Sequence, residues 1–179
     1  YGYYCMNINS LINPCSAGDY DWSRVVRQYP QVLGNFDGFN YLGLGVLSFL
    51  IFVVAIKISR IKNTLKFMKR NAGILIAGIV FTVFAISSVV TLNDKVLLDI
   101  KLSKWLYHLC SVFRSSGRML YPVNYLIVLF VVKELVQFKA NSIKYQAQIL
   151  LAVLCAVQLL DISAVLIKKH HEFDKDVIE

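Results

Sequence analysis

Two arginines four positions apart, Arg114 and Arg118, bracket Ser115-Ser116-Gly117 in the stretch FRSSGRMLYP. Paired guanidiniums grip phosphate through parallel N–H bonds, and serine hydroxyls and free backbone N–H groups beside a helix start add donors. A lipid-linked phosphate or pyrophosphate suits such a site where an apolar segment begins. Ordinary lipid headgroups, or an ion pair with an acid elsewhere, would use the same side chains.

Asp161 lies inside an apolar run. An acid at the middle of a membrane helix costs about 2.5–3.5 kcal/mol on insertion scales, so it calls for a partner. At 1.5 Å per residue it sits about 9 Å from the end of the run at Ile167, on the side of Arg114 and Arg118. An ion pair with one of these, or a bond to Asn124, would be structural, whereas a proton or cation role would be functional. Nearer the start, Asn7, Asn9, Asn13, Asp19, Asp21, Asp37 and Asn40 offer oxygen ligands for sugar hydroxyls or a divalent cation. Only Asp19-x-Asp21 approaches a motif, and plain loop polarity also accounts for the set.

Other chemistries find little support. Cys5 and Cys15 fall in one segment where a disulfide is permitted, which spacing alone does not decide. No CxxC occurs, and His108, His170 and His171 have no ligand set around them, so no metal centre is expected. Neither a nucleophile elbow nor a phosphate-binding glycine loop is present.

The elements that must position these residues are apolar helices. Hydrophobic residues make up 57% of the 179 residues and charged ones 17%, against roughly 25% in soluble domains. The mean hydropathy is +0.57. The net charge of +8 lies between apolar runs rather than on a stripe with stacking aromatics, which argues for a bilayer and against nucleic acid. The expected fold is all-α: an integral membrane helical bundle with spans near 40–58, 73–92, 120–138 and 147–167, each close to the roughly 20 residues a bilayer requires. Gly43 and Gly45 at the first span suit either close helix approach or a turn into the helix.

Residues 1–39 read as an extracytoplasmic segment, with a short helix near 21–29 capped by Asp21 or Ser23. Between the first two spans, Lys57, Arg60, Lys62, Lys66, Lys69 and Arg70 occur without an acid, on an amphipathic pattern. The positive-inside rule puts this loop in the cytoplasm of a multi-pass inner-membrane protein. Residues 93–120 form the opposite loop. An interfacial helix within it starts at Ser103 as N-cap and stops at Gly117, with Trp105 and Tyr107 at headgroup depth. Tyr121-Pro122 opens the third span, where Lys133 and Glu134 suggest snorkelling or a neighbouring ion pair. The fourth span ends in a charged tail from Lys168. The chain opens YGYYCMN, without Met or a signal peptide, so a fragment of a longer chain is expected, and the remainder of that chain is among its partners.

Three stretches, YYCMNINSLINP at 4–14, FDGFNYLGLG at 36–45 and FRSSGRMLYPVNYL at 113–126, resemble the later part of a family of uncharacterised bacterial multi-pass membrane proteins. That family is similar to GT-C-type glycosyltransferases, which use polyprenyl-phosphate sugar donors at the outer membrane face. The resemblance implies a shared outer-face site containing Asn7, Asp37, Asn40, Arg114, Ser116, Gly117, Arg118 and Tyr121; the oxygen ligands of the N-terminal segment leave a divalent cation as a possible cofactor. The catalytic acid of such enzymes lies in an earlier loop that this chain does not contain. The alternative is a non-catalytic transporter, flippase or assembly protein, with Asp161, Lys133 and Glu134 along a polar path.

Overall fold

The computed structural model describes residues 2–16, 21–59, 61–113, 115–141 and 146–176. Helices dominate: α1 (Leu44–Ser59), α2 (Ile61–Arg70), α3 (Ala72–Ile86), α4 (Lys104–Ser111), α5 (Tyr121–Asn141) and α6 (Gln146–Asp176). Two stretches, Gly117–Gln137 and Gln148–Asp174, are long and apolar enough to cross a membrane. Leu44–Ser59 with Thr64–Arg70 passes the same test only as a pair bent by 107°. The protein is therefore a membrane protein. α3, at 15 residues, is apolar but shorter than a full crossing.

The expectation of an all-α fold needs correction. An antiparallel hairpin joins β1 (Val89–Leu92) to β2 (Lys95–Asp99), inside what the sequence suggested was the end of the second span and the following loop. The cause is local. Ser87 takes φ 69 and ends α3, and the β-branched run Val89-Val90-Thr91 favours an extended chain. Asn93, at φ 55, makes the turn. The free edge of β1 bridges in parallel to Asn7 through Thr91, so the hairpin ties the N-terminal segment down.

Three other boundaries shift. Residues 21–29 form no helix. The Ser23 hydroxyl accepts the Val25 and Val26 N–H groups, but the Arg24 N–H goes to the Asp161 carbonyl, and only a turn results. Ser103 does cap α4, accepting from the Leu106 N–H, yet α4 stops at Ser111 and Gly117 instead begins a 3-10 turn leading into α5. The tail from Lys168 continues α6 as helix to Asp176.

Phe49 and Val53 of α1 pack against Val131 and Leu135 of α5, backed by Leu150 and Leu154 of α6. A second core of Met6, Ala85 and Leu120 joins the N-terminal segment to α3 and the start of α5. At the α2 end, Glu134 pairs with Lys57 at 3.0 Å, which is the neighbouring ion pair anticipated for it. The Lys57 and Lys133 ammoniums lie 5.5 and 5.1 Å from the centre of the Phe67 ring.

Gly45 and Gly78 separate two roles for glycine in these helices. A Cβ on Gly45 would fall 2.5 Å from the Leu154 carbonyl oxygen, whereas one on Gly78 would meet nothing within 4 Å. Gly45→Ala should therefore destabilise by about 1–3 kcal/mol through overpacking, and Gly78→Ala should stabilise by up to about 1 kcal/mol through helix propensity. Thermal unfolding in detergent checks both; equal effects would contradict the close α1–α6 contact.

Candidate functional site

The first four N–H groups of an α-helix have no partner within it. In α1 a neighbouring helix supplies most of them. Asp161 Oδ2 accepts from Leu44 N at 2.9 Å, and Gln158 Oε1 accepts from Gly45 N at 3.0 Å and Val46 N at 3.3 Å. Leu47 N bonds to the Gly43 carbonyl at 3.0 Å, where Gly43 turns the chain at φ 83. Asp161 is wholly buried. Its carboxylate also accepts from the Ser23 hydroxyl and, at 2.7 Å, from the Tyr41 hydroxyl. A negative group at a helix N-terminus is further favoured by the helix dipole.

These contacts correct the partners expected for Asp161. It meets neither Arg118 nor Asn124; the Asn124 amide donates to the Asn40 carbonyl and side chain instead, each at 3.3 Å. These bonds give Asp161 a capping and bracing place in the fold. Sequence reasoning missed Gln158, and missed Ser23 (read only as a helix cap) and Tyr41 as partners of Asp161. Gln158 lies three residues before Asp161, on the same face of α6, and that spacing was the available signal.

The three distinctive stretches meet in one layer. Gly117 N donates to the Tyr4 carbonyl at 2.9 Å, and the Ser116 hydroxyl donates to the same oxygen at 3.3 Å. The Asn35 amide donates to the Cys5 carbonyl at 3.0 Å. Backbones touch at Gly38 and Gly117: a Cβ on Gly117 would sit 2.7 Å from Gly38 Cα, and one on Gly38 would sit 2.7 Å from Met6 Cα. Arg118 closes the layer with an ion pair to Asp37 at 2.9 Å.

Several expected ligands turn out to be internal supports. Asn7 is fully buried; its amide donates to the Asn93 carbonyl at 2.8 Å and accepts from the Asn93 N–H at 3.1 Å. Asn40 is buried and donates to the Gly38 carbonyl. The Ser116 hydroxyl and Gly117 N–H, expected to be free donors, are both taken by Tyr4. Asn13 braces the segment, joining Cys15 to the backbone of Tyr29. Arg114 and Asp19 lie outside the described residues.

What still faces outward is Arg118, whose side chain is 61% exposed while Asp37 is at 17%, together with the exposed ring of Tyr121 at the start of α5. The Ser115 hydroxyl, three residues before Arg118, is buried without a hydrogen-bond partner among the described residues, as are the Ser10 and Ser87 hydroxyls. A guanidinium held by one bond and otherwise exposed has N–H groups left to bind an anion. No group of three or more His, Cys, Asp or Glu side chains among the described residues could hold a metal ion.

Cys5 and Cys15 are both free thiols, with no bridge between them. Burial pushes the Cys5 thiol above its ordinary range, against the bond from Asn35. Burial and the neighbouring Asp21 charge push Cys15 up as well.

The architecture is thus that of a helical membrane protein whose polar segments form one braced layer at the ends of its helices. Residues 1–163 match the family described as a domain of unknown function, DUF6311, and the chain belongs to that family. No curated protein and no solved structure matches it.

Asp161→Ala should strand three donors, from Ser23, Tyr41 and Leu44, and destabilise by about 3 kcal/mol or more. Asp161→Asn, which keeps one acceptor oxygen, should lose less. A thermal melt of each variant in detergent measures the order; equal stability of all three proteins would remove Asp161 from its capping role.

Proposed function

We propose that this chain is part of a membrane-embedded glycosyltransferase, which moves a sugar from a polyprenyl-phosphate donor at the outer membrane face. The observation that carries the reading is the exposed Arg118 guanidinium, held by Asp37 where the three stretches that resemble such enzymes converge. Arg118 would hold the donor phosphate as the glycosidic bond to it breaks, stabilising the charge on the leaving group. Tyr121 would line the same surface. Asp37 would orient Arg118 rather than bind sugar, and Asn7 and Asn40 would support the layer from within. The catalytic acid would come from the remainder of the full-length chain.

The transporter alternative needs polar groups open to a path through the bilayer. Asp161 and Glu134 are both engaged by neighbouring side chains, which favours the transferase reading. In this proposal α1, α3, α5 and α6 are four spans of a multi-pass inner-membrane protein. Helix α2 lies on the cytoplasmic side, and residues 1–39 with the hairpin lie outside.

In the full-length protein, Arg118→Ala should lower glycan transfer by about 100-fold or more, as loss of a transition-state donor does, with expression unchanged. Unaltered transfer would rule out Arg118 as the phosphate site.

Orientation has a separate measurement. In a chain carrying Cys15→Ser, Cys110→Ser and Cys155→Ala, a membrane-impermeant maleimide on intact cells should label Val112→Cys but not Lys62→Cys, both exposed positions. Labelling of Lys62→Cys alone would invert the topology and place Arg118 inside.

A further inference from the structure

A groove of about 640 Å³ opens between α3 and α5, and Arg118 is not among the residues that line it. Ile74, Ile79 and Val83 form one wall, and Leu126, Ile127 and Phe130 the other. Gly78 leaves the middle open. From Asn71 to Val83 the groove runs about 18 Å at 1.5 Å per residue, close to half of the roughly 30 Å hydrocarbon layer. It therefore has about the depth of one leaflet.

Its two ends differ. One is apolar, at Val83 and Val123, and the other is formed by Phe67, Asn71 and Lys133. Lys133 is exposed, and no carboxylate lies within 4 Å of its ammonium among the described residues. Next to it, α2 adds Lys62, Lys66, Lys69 and Arg70 without a single acid. An apolar helix seated in this groove would leave that cationic end without a counter-charge. An amphiphile with an apolar chain and an anionic head satisfies both ends, as basic sites between membrane helices do for acidic headgroups.

We propose that the groove binds an acyl chain of an anionic phospholipid from the leaflet on which α2 lies, with its phosphate on Lys133 and the basic face of α2. The site is independent of sugar transfer at Arg118.

The full-length protein, purified in detergent and mixed with equimolar phosphatidylglycerol and phosphatidylcholine, gives the test by native mass spectrometry. Wild type should retain phosphatidylglycerol over phosphatidylcholine by about tenfold. Lys133→Gln should cut that preference to about twofold or less, and Gly78→Leu, which projects into the open groove, should lose both lipids. Equal retention of the two lipids by wild type, no retention by wild type (as when another helix of the full chain fills the groove), or an unchanged preference in Lys133→Gln would each overturn the proposal. Thermal melts confirm that both variants fold. Should Gly78→Leu fail to fold, Lys133→Gln, at an exposed position, still decides.

Discussion

The start of α1 is the constraint on which the rest of the structure depends. A helix whose first turn is packed against another cannot leave its first N–H groups to water, and each buried group without a partner costs free energy. Asp161 and Gln158 of α6 satisfy Leu44, Gly45 and Val46. The two helices must then cross closely, which is why Gly45 sits against the Leu154 carbonyl. The same carboxylate gathers Ser23 and Tyr41, so the irregular segment before α1 is fixed by the bond that fixes the helix. One buried acid thus connects α6, α1 and the N-terminal layer.

That layer is held mainly by backbone contact. Gly38 and Gly117 let three chain segments approach to distances that a side chain would forbid, and buried amides then satisfy the polar groups left between them. Asn7 pairs with both backbone groups of Asn93, and Asn35 reaches Cys5 while accepting from the Thr91 hydroxyl. Such networks specify one arrangement when every member has a partner, and are costly otherwise. The abundance of asparagine in the first forty residues therefore reflects a segment built without regular secondary structure, whose backbone groups need side-chain partners.

This bears on what the sequence could reveal. Apolar runs located the helices, Ser103 before an amphipathic pattern located a cap, and the acid at Glu134 left an ion pair as one of two readings, with Lys57 its partner. These signals are local, or nearly so. The hairpin at Val89–Asp99 was hidden because Val89, Val90 and Leu92 are as apolar as the helix before them, and only pairing with β2 and Asn7 shows them to be strand. Asn7 and Asn40 looked like ligands because polarity in a loop is the same signal whether a side chain faces solvent or a backbone carbonyl. Gln158 escaped notice since a neutral amide in an apolar run raises less concern than an acid, although it caps as many N–H groups as any residue here.

Once these structural demands are met, few polar groups remain for chemistry. Asp161, Glu134, Asn7, Asn40, Ser116 and the Gly117 N–H are all committed to partners whose loss would leave buried groups unsatisfied. A residue under that constraint is poorly suited to exchange partners with a substrate, because binding would have to break a bond that the fold needs. Arg118 differs: Asp37 engages one nitrogen, and the rest of the guanidinium faces outward. A single ion pair at a position that is 61% exposed contributes little to stability. It does fix the direction of a cation, which is the property an anion-binding side chain needs. The contrast between side chains already engaged by the fold and an oriented cation at its edge is the physical reason to look for function at Arg118 rather than at Asp161 or Glu134.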